Sequence, residues 1–82
     1  MWHVYLLECK DGTFYCGISL DVERRLKEHN TSPKGAKYTR ARRPVKLVWH
    51  KNVKDRSIAS KEELRIKKLS RQQKLTLIRS YD

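Results

Sequence analysis

The order of patterned segments predicts an α/β domain, a three-stranded antiparallel sheet flanked by helices in the sequence β-β-α-β-α-α. Three observations predict it. Two aromatic and branched runs, "WHVYLLEC" and "TFYCGIS", flank "KDG", which reads as a hairpin turning at Asp11-Gly12. A third run, "PVKLVWH", alternates at Val45, Leu47 and Trp49 as a strand does. The intervening and following segments carry helical spacing and capping residues instead.

The first strand is apolar at consecutive positions, so both of its faces should be covered. The length of the turn decides where the hairpin's tyrosines point. With a two- or four-residue loop Tyr5 would stand opposite Ile18, and the pleat would put Tyr5 and Tyr15 on opposite faces. A three- or five-residue loop, or a bulge, puts them on one face, with Gly12 suited to a left-handed turn position. Asp21 is an N-cap or early-turn acid for the helix "DVERRLKEH", in which Val22 and Leu26 lie four apart. At about 100° per residue His29 falls between Arg25 and that apolar stripe, at the edge of the core.

Thr31 to Arg43, "TSPKGAKYTRARR", has no periodic apolar residue and reads as a basic loop around Tyr38, ordered partly by its target. Pro44 opens the third strand, where its missing donor does no harm. Asp55 or Ser57 caps "SIASKEELRIKKL", and Ser70 caps a last helix, "RQQKLTLIRSY". Trp49, Ile58, Ile66, Leu69, Leu75 and Ile78 would complete the core. The 82 residues make one domain, 1–82, and a chain of this size buries only about 60% of its unfolded surface.

Charge is uneven. Lys and Arg number 20 against 9 Asp and Glu, a net charge of +11. Residues 1–30 are net −1 and residues 31–82 net +12, so the basic field belongs to the later segments and favours a polyanion partner. Cys9 and Cys16 are the only cysteines, too few for a disulfide framework. No signal peptide or membrane-length run is evident, so the expected setting is the reducing cytoplasm, with both thiols buried and free. His3, Cys9, Cys16 and His29 lack zinc-site spacing.

The polar groups beside apolar stripes are Tyr5 and Tyr15 in the hairpin, Arg25 and His29 on the next helix, and Glu62 and Glu63 in a later one. Each alone has a structural use as a core aromatic, a snorkelling cation or an ion-pair member. Together, "VYL" at Val4 to Leu6, "YCG" at Tyr15 to Gly17, Arg25, His29 and a later glutamate resemble the GIY-YIG nuclease superfamily. The similarity is to its small single-domain bacterial group, UPF0213-like, through the ending "DRSIASKEELRIKKLSRQQKLTLI".

That resemblance implies a GIY-YIG-like fold and a catalytic set of Tyr5, Tyr15, Arg25, His29 and Glu63, with Gly17 as a structural member of the second motif. Helical periodicity does not choose between Glu62 and Glu63; the family spacing E-x-x-I-K selects Glu63. The implied activity is a metal-dependent endonuclease acting on DNA, perhaps on structured or single-stranded repair intermediates. Glu63 would hold a single Mg²⁺ or Mn²⁺, and one carboxylate with waters and phosphate oxygens suits Mg²⁺. Arg25 would fork onto a phosphate oxygen. One of the tyrosines would take a proton from water; because an unperturbed phenol has a pKa of about 10, a cation or a base such as His29 must assist.

The basic candidates for nucleic-acid contact are Lys34, Lys37, Arg40, Arg42 and Arg43 around Tyr38, with Lys67 and Lys74 from the last helices. Larger relatives carry a separate recognition domain and a late-helix asparagine. Neither is evident here, so the expectations are weak sequence selectivity and a phosphate contact from Lys74. A noncatalytic nucleic-acid-binding module, or a subunit whose protein partner supplies specificity, uses the same residues.

Overall fold

The computed structural model describes residues 1–80. Strands β1 (Trp2–Glu8) and β2 (Phe14–Ser19) form a hairpin, followed by helix α1 (Val22–Thr31) and a one-turn helix α2 (Lys37–Arg40). Strand β3 (Lys46–Val53) and helices α3 (Arg56–Lys67) and α4 (Arg71–Arg79) follow. The sheet is antiparallel in the order β2-β1-β3, which makes β1 central and β2 an edge.

The central position accounts for the unbroken apolar run of β1. Val4 and Leu6 pack with Cys16, Trp49, Val53, Ala59 and Ile66 on one face, under α3 and α4. Tyr5 and Leu7 pack with Cys9 and Val45 on the other, against Val22 and Leu26 of α1. All four β1 residues are at most 2% exposed.

The hairpin loop has three residues, Lys10 to Gly12. Cys9 N–H donates to Thr13 O at 2.8 Å, and Gly12 N–H to Cys9 O at 2.9 Å. Gly12 sits at φ +82°, the left-handed conformation such a loop requires. Asp11 Oδ1 accepts from both the amide and the hydroxyl of Thr13, at 3.1 and 2.6 Å. This odd loop pairs Tyr5 with Gly17 and Leu7 with Tyr15, so the two tyrosines share the α1 face.

Three expectations are corrected. First, Val45, Leu47 and Trp49 do not share a face. The β1–β3 register shifts between Leu6 and Leu7, pairing Leu6 with Trp49 and Leu7 with Leu47. The extra residue of this bulge, Val48, turns Trp49 to the α3 face while Val45 and Leu47 stay on the α1 face. Second, Ile58 is 40% exposed; the buried α3 residues are Ala59 and Ile66.

Third, the basic segment is not all loop. It forms α2, with Gly35 and Thr39 buried, because contacts rather than an apolar stripe hold it. A methyl group on Gly35 would lie 2.7 Å from Glu28 O, so only glycine lets the segment lie this close to α1. Arg43 fastens it, donating through Nε to His29 O at 2.6 Å and through Nη2 to Ser32 O and Glu28 O. These carbonyls lie in the last turn of α1 and at its C-cap Ser32, where helix acceptors have few backbone partners.

The helix starts follow the sequence. Asp21 accepts from Arg24 N–H, Asp55 rather than Ser57 from Ile58 N–H, and Ser70 forms a capping box with Gln73. The Asp82 end of the chain lies outside the described residues.

Replacing Gly12 by Ala should cost about 1–2 kcal/mol, the left-handed penalty for a residue with a Cβ, read as a lower urea midpoint at constant slope. An unchanged midpoint would contradict the strained-turn account.

Candidate active site

The Tyr5 side chain leans across the edge strand. A Cβ on Gly17 would lie 2.6 Å from Tyr5 Cζ and also overlap the hydroxyl, so the glycine is where the phenol crosses β2. Beyond it Tyr5 Oη lies 2.8 Å from His29 Nε2. His29 is not at the core edge but fully buried, at 0% exposure. Its Nδ1 lies 2.9 Å from Thr39 Oγ1, itself buried and donating to Ala36 O at 2.8 Å. Thr39 is a site residue that sequence reasoning missed; the one available signal was an unexplained hydroxyl amid basic residues.

Burial dominates the electrostatics of this group. It lowers the His29 pKa to about 4, with the Arg25 cation adding to the effect, so the imidazole is neutral near pH 7. Burial also raises the Tyr5 phenol well above its ordinary value, helped by Tyr15 and opposed by Arg25. Tyr5 and His29 are therefore a neutral phenol–imidazole pair at neutral pH.

Arg25 stands beside this pair, and it is engaged. Its Nη1 donates to Glu28 Oε1 at 3.0 Å and to Lys34 O at 2.8 Å. The Glu28 carboxyl is held below its usual range, first by that hydrogen bond. Arg25 and Glu28 open onto a cleft of about 320 Å³ bordered by Ile18, Ser19 and Arg24.

Tyr15 is half-buried, its ring 5.2 Å from that of His29 in an edge arrangement. Tyr38 stacks on Tyr15 at 6.1 Å, and the Arg42 guanidinium lies 3.8 Å from the Tyr38 centroid. Arg42 also pairs with Asp11 of the hairpin loop and donates to Tyr38 O. Tyr38, expected as a platform for bases, thus packs on the protein while remaining 38% exposed. Lys34, Lys37 and Arg40 present exposed side chains, whereas Arg43 is bound to the end of α1.

Glu63 comes from the opposite side of the sheet. It lies on α3, which packs on the Cys16 face, and pairs with Lys67 at 3.6 Å. Burial, and then the Glu63 carboxylate, push the Cys16 thiol up to about 12, with Lys67 and Lys74 opposing. Among the described residues Glu63 makes no hydrogen bond to the Tyr5–His29 group; β2, in contact with both α1 and α3, lies between them. Glu62 is taken up by Arg65, through both nitrogens at 3.0 Å, and by Lys51. Both cysteines are buried and free, and no cluster of three metal-ligand side chains occurs among the described residues. No described helix is long and apolar enough to cross a membrane.

Two same-face tyrosines, a buried histidine and an adjacent arginine lie on one side of the sheet and a glutamate on the other, and residues 1–76 match the GIY-YIG catalytic domain. The chain belongs to the GIY-YIG family. Among relatives of this GIY-YIG domain, a UPF0213 protein of Desulfotalea psychrophila is 53% identical over 79 residues, covering 96% of this chain and 72% of the relative. One from Halobacterium salinarum is 52% identical over 77 residues, covering 94% and 99%. The solution NMR structure of a Bacillus halodurans UPF0213 protein aligns with TM-score 0.59 at 47% identity, and that of an E. faecalis protein with 0.63 at 44%. They cover 95% and 96% of this chain, and 83% of each neighbour. Membership implies a nuclease with a nucleic-acid substrate.

The depressed His29 pKa has a thermodynamic signature. The unfolded histidine titrates near 6.5 and the folded one near 4, so between these values the unfolded chain binds more protons and stability rises with pH. Its contribution, up to about 3 kcal/mol at 1.36 kcal/mol per pKa unit, is complete above pH 6.5 and lost as pH falls towards 4. Denaturation of wild type and His29→Gln across this range should show the steeper slope only in wild type; parallel curves would refute it.

Proposed function

We propose that this GIY-YIG domain is a metal-dependent endonuclease that hydrolyses phosphodiester bonds in DNA, acting on structured or single-stranded repair intermediates. The observation that carries the reading is the 2.8 Å contact between Tyr5 Oη and His29 Nε2, on the face shared with Tyr15 and beside Arg25. An attacking water gives its proton to Tyr5 Oη as the phenol's own proton passes to His29. No free phenolate is needed, which suits a phenol whose burial resists ionisation. Tyr15 walls the histidine and faces the solvent side. Arg25 exchanges Glu28 for a phosphate oxygen, and its planar guanidinium offers two parallel donors.

Glu63 is the residue that would hold Mg²⁺ or Mn²⁺. A half-buried carboxylate would give a hard divalent cation one ligand, with waters and substrate oxygens supplying the others, and Lys67 is the partner it would release. Such an ion supplies charge neutralisation at the phosphate and the departing 3′ oxygen. Exposed Lys34, Lys37 and Arg40, together with Lys67 and Lys74, would track the backbone. A second reading, a nucleic-acid-binding module or a subunit without turnover whose protein partner supplies specificity, is favoured by one observation: Arg25 and Glu63 are both ion-paired internally.

Cleavage of labelled single-stranded, duplex and branched DNA with Mg²⁺ or Mn²⁺ separates the two. Wild type should cut, and Glu63→Gln, Arg25→Ala and Tyr5→Phe should each cut about 100-fold more slowly or worse. Equal trace cleavage by wild type and Glu63→Gln would sink the catalytic reading and leave the binding module, for which affinity must fall as salt rises.

A further inference from the structure

Thr39 has no part in the chemistry above, yet it and His29 are the buried polar side chains of the described core, and they touch. Ala36 O accepts the Thr39 hydroxyl proton at 2.8 Å beside the Arg40 N–H it receives at 3.1 Å, and a hydroxyl has only one proton to give. Thr39 Oγ1 then meets His29 Nδ1 as an acceptor at 2.9 Å, which requires the proton on Nδ1. Nε2 is left with its lone pair toward Tyr5 Oη at 2.8 Å, and Tyr5 is the donor. One contact opposes this order: Ala36 N–H points at Nδ1 from 3.3 Å and would favour the other tautomer. At 3.3 Å it is the longest of the four contacts; the 2.8 and 2.9 Å contacts of the ring nitrogens fit either tautomer, so the direction rests on the Thr39 proton lying on Ala36 O.

We propose that Thr39 is a positioning residue that holds His29 as the Nδ1–H tautomer, so that Nε2 is open to the Tyr5 proton. The kinetic half of this inference rests on the nuclease reading. In the relay, the water O–H bond breaks as its proton binds Tyr5 Oη. The Tyr5 O–H bond breaks as its proton binds Nε2, and hydroxide attacks phosphorus as the bond to the 3′ oxygen breaks, that oxygen taking a proton from a second water. The resulting imidazolium keeps its Nδ1–H on Thr39 Oγ1. Without that hydroxyl, Ala36 N–H is the remaining Nδ1 neighbour and draws the ring to the Nε2–H form. His29 then donates to Tyr5 and cannot receive its proton.

Long-range ¹H–¹⁵N correlation spectra of the His29 ring at pH 7 test the tautomer without substrate or metal. Wild type and Thr39→Ser should show Nδ1–H, and Thr39→Val a shift to Nε2–H. Nε2–H in wild type overturns the proposal without recourse to any variant, and so does Nδ1–H retained in Thr39→Val. In cleavage assays Thr39→Val should lower kcat roughly 10- to 100-fold, the usual effect of losing a group that orients a reactive one, with KM little changed and Thr39→Ser restored. A switched tautomer with unchanged kcat overturns the relay. Absence of cleavage by wild type overturns the nuclease reading alone, and the spectra still decide whether Thr39 sets the tautomer.

Discussion

The hydrogen bond from Tyr5 to His29 is the contact on which the rest of this structure depends. To make it, a phenol on the central strand must cross the edge strand, which requires Gly17 beneath it. It must also share a face with Tyr15, which requires the three-residue loop and the left-handed Gly12. The histidine must be carried into the core by α1, and its far nitrogen must find a partner there. A buried imidazole with an unsatisfied nitrogen costs on the order of 1–3 kcal/mol, and Thr39 removes that cost. Helix α2 carries that threonine, and Arg43 ties the segment to the end of α1.

The electrostatic design is a neutral centre inside a strongly basic molecule. Burial keeps both Tyr5 and His29 uncharged, although the chain carries +11 overall. The cations nearest the centre are ion-paired. Arg25 leans on Glu28, and Arg42 on Asp11 and Tyr38. An anionic substrate has to replace those carboxylates, so binding is an exchange of ion pairs as well as an attraction. Ion pairs open to solvent contribute little stability, about 0–1 kcal/mol each, and these two are only partly shielded from it.

The edge position of β2 gives the site its layout. Helices α1 and α3 contact this strand from opposite faces, so the Tyr5–His29 group and the Glu63 carboxylate stand on opposite sides of the sheet. An edge strand ordinarily presents an unpaired backbone, and here the two helices flank it.

The sequence by itself determined the class of fold and most element starts, because turn chemistry, capping residues and apolar alternation act over a few neighbouring positions. Asp21, Asp55 and Ser70 cap as their local patterns require. It also determined which residue types meet, since Tyr5, Tyr15, Arg25 and His29 sit at motif spacing. Tertiary structure decided everything that needs two distant segments at once. The parity of the hairpin was open until the loop closed with three residues, and the β3 bulge that turns Trp49 away from Leu47 has no local signal. The burial of Thr39 depends on Gly35 lying against α1 and on Arg43 reaching back to its last carbonyls, contacts made by shape rather than by an apolar stripe. Periodicity reports one element against solvent; which hydroxyl stands behind a histidine ten residues earlier is a matter of how two elements pack.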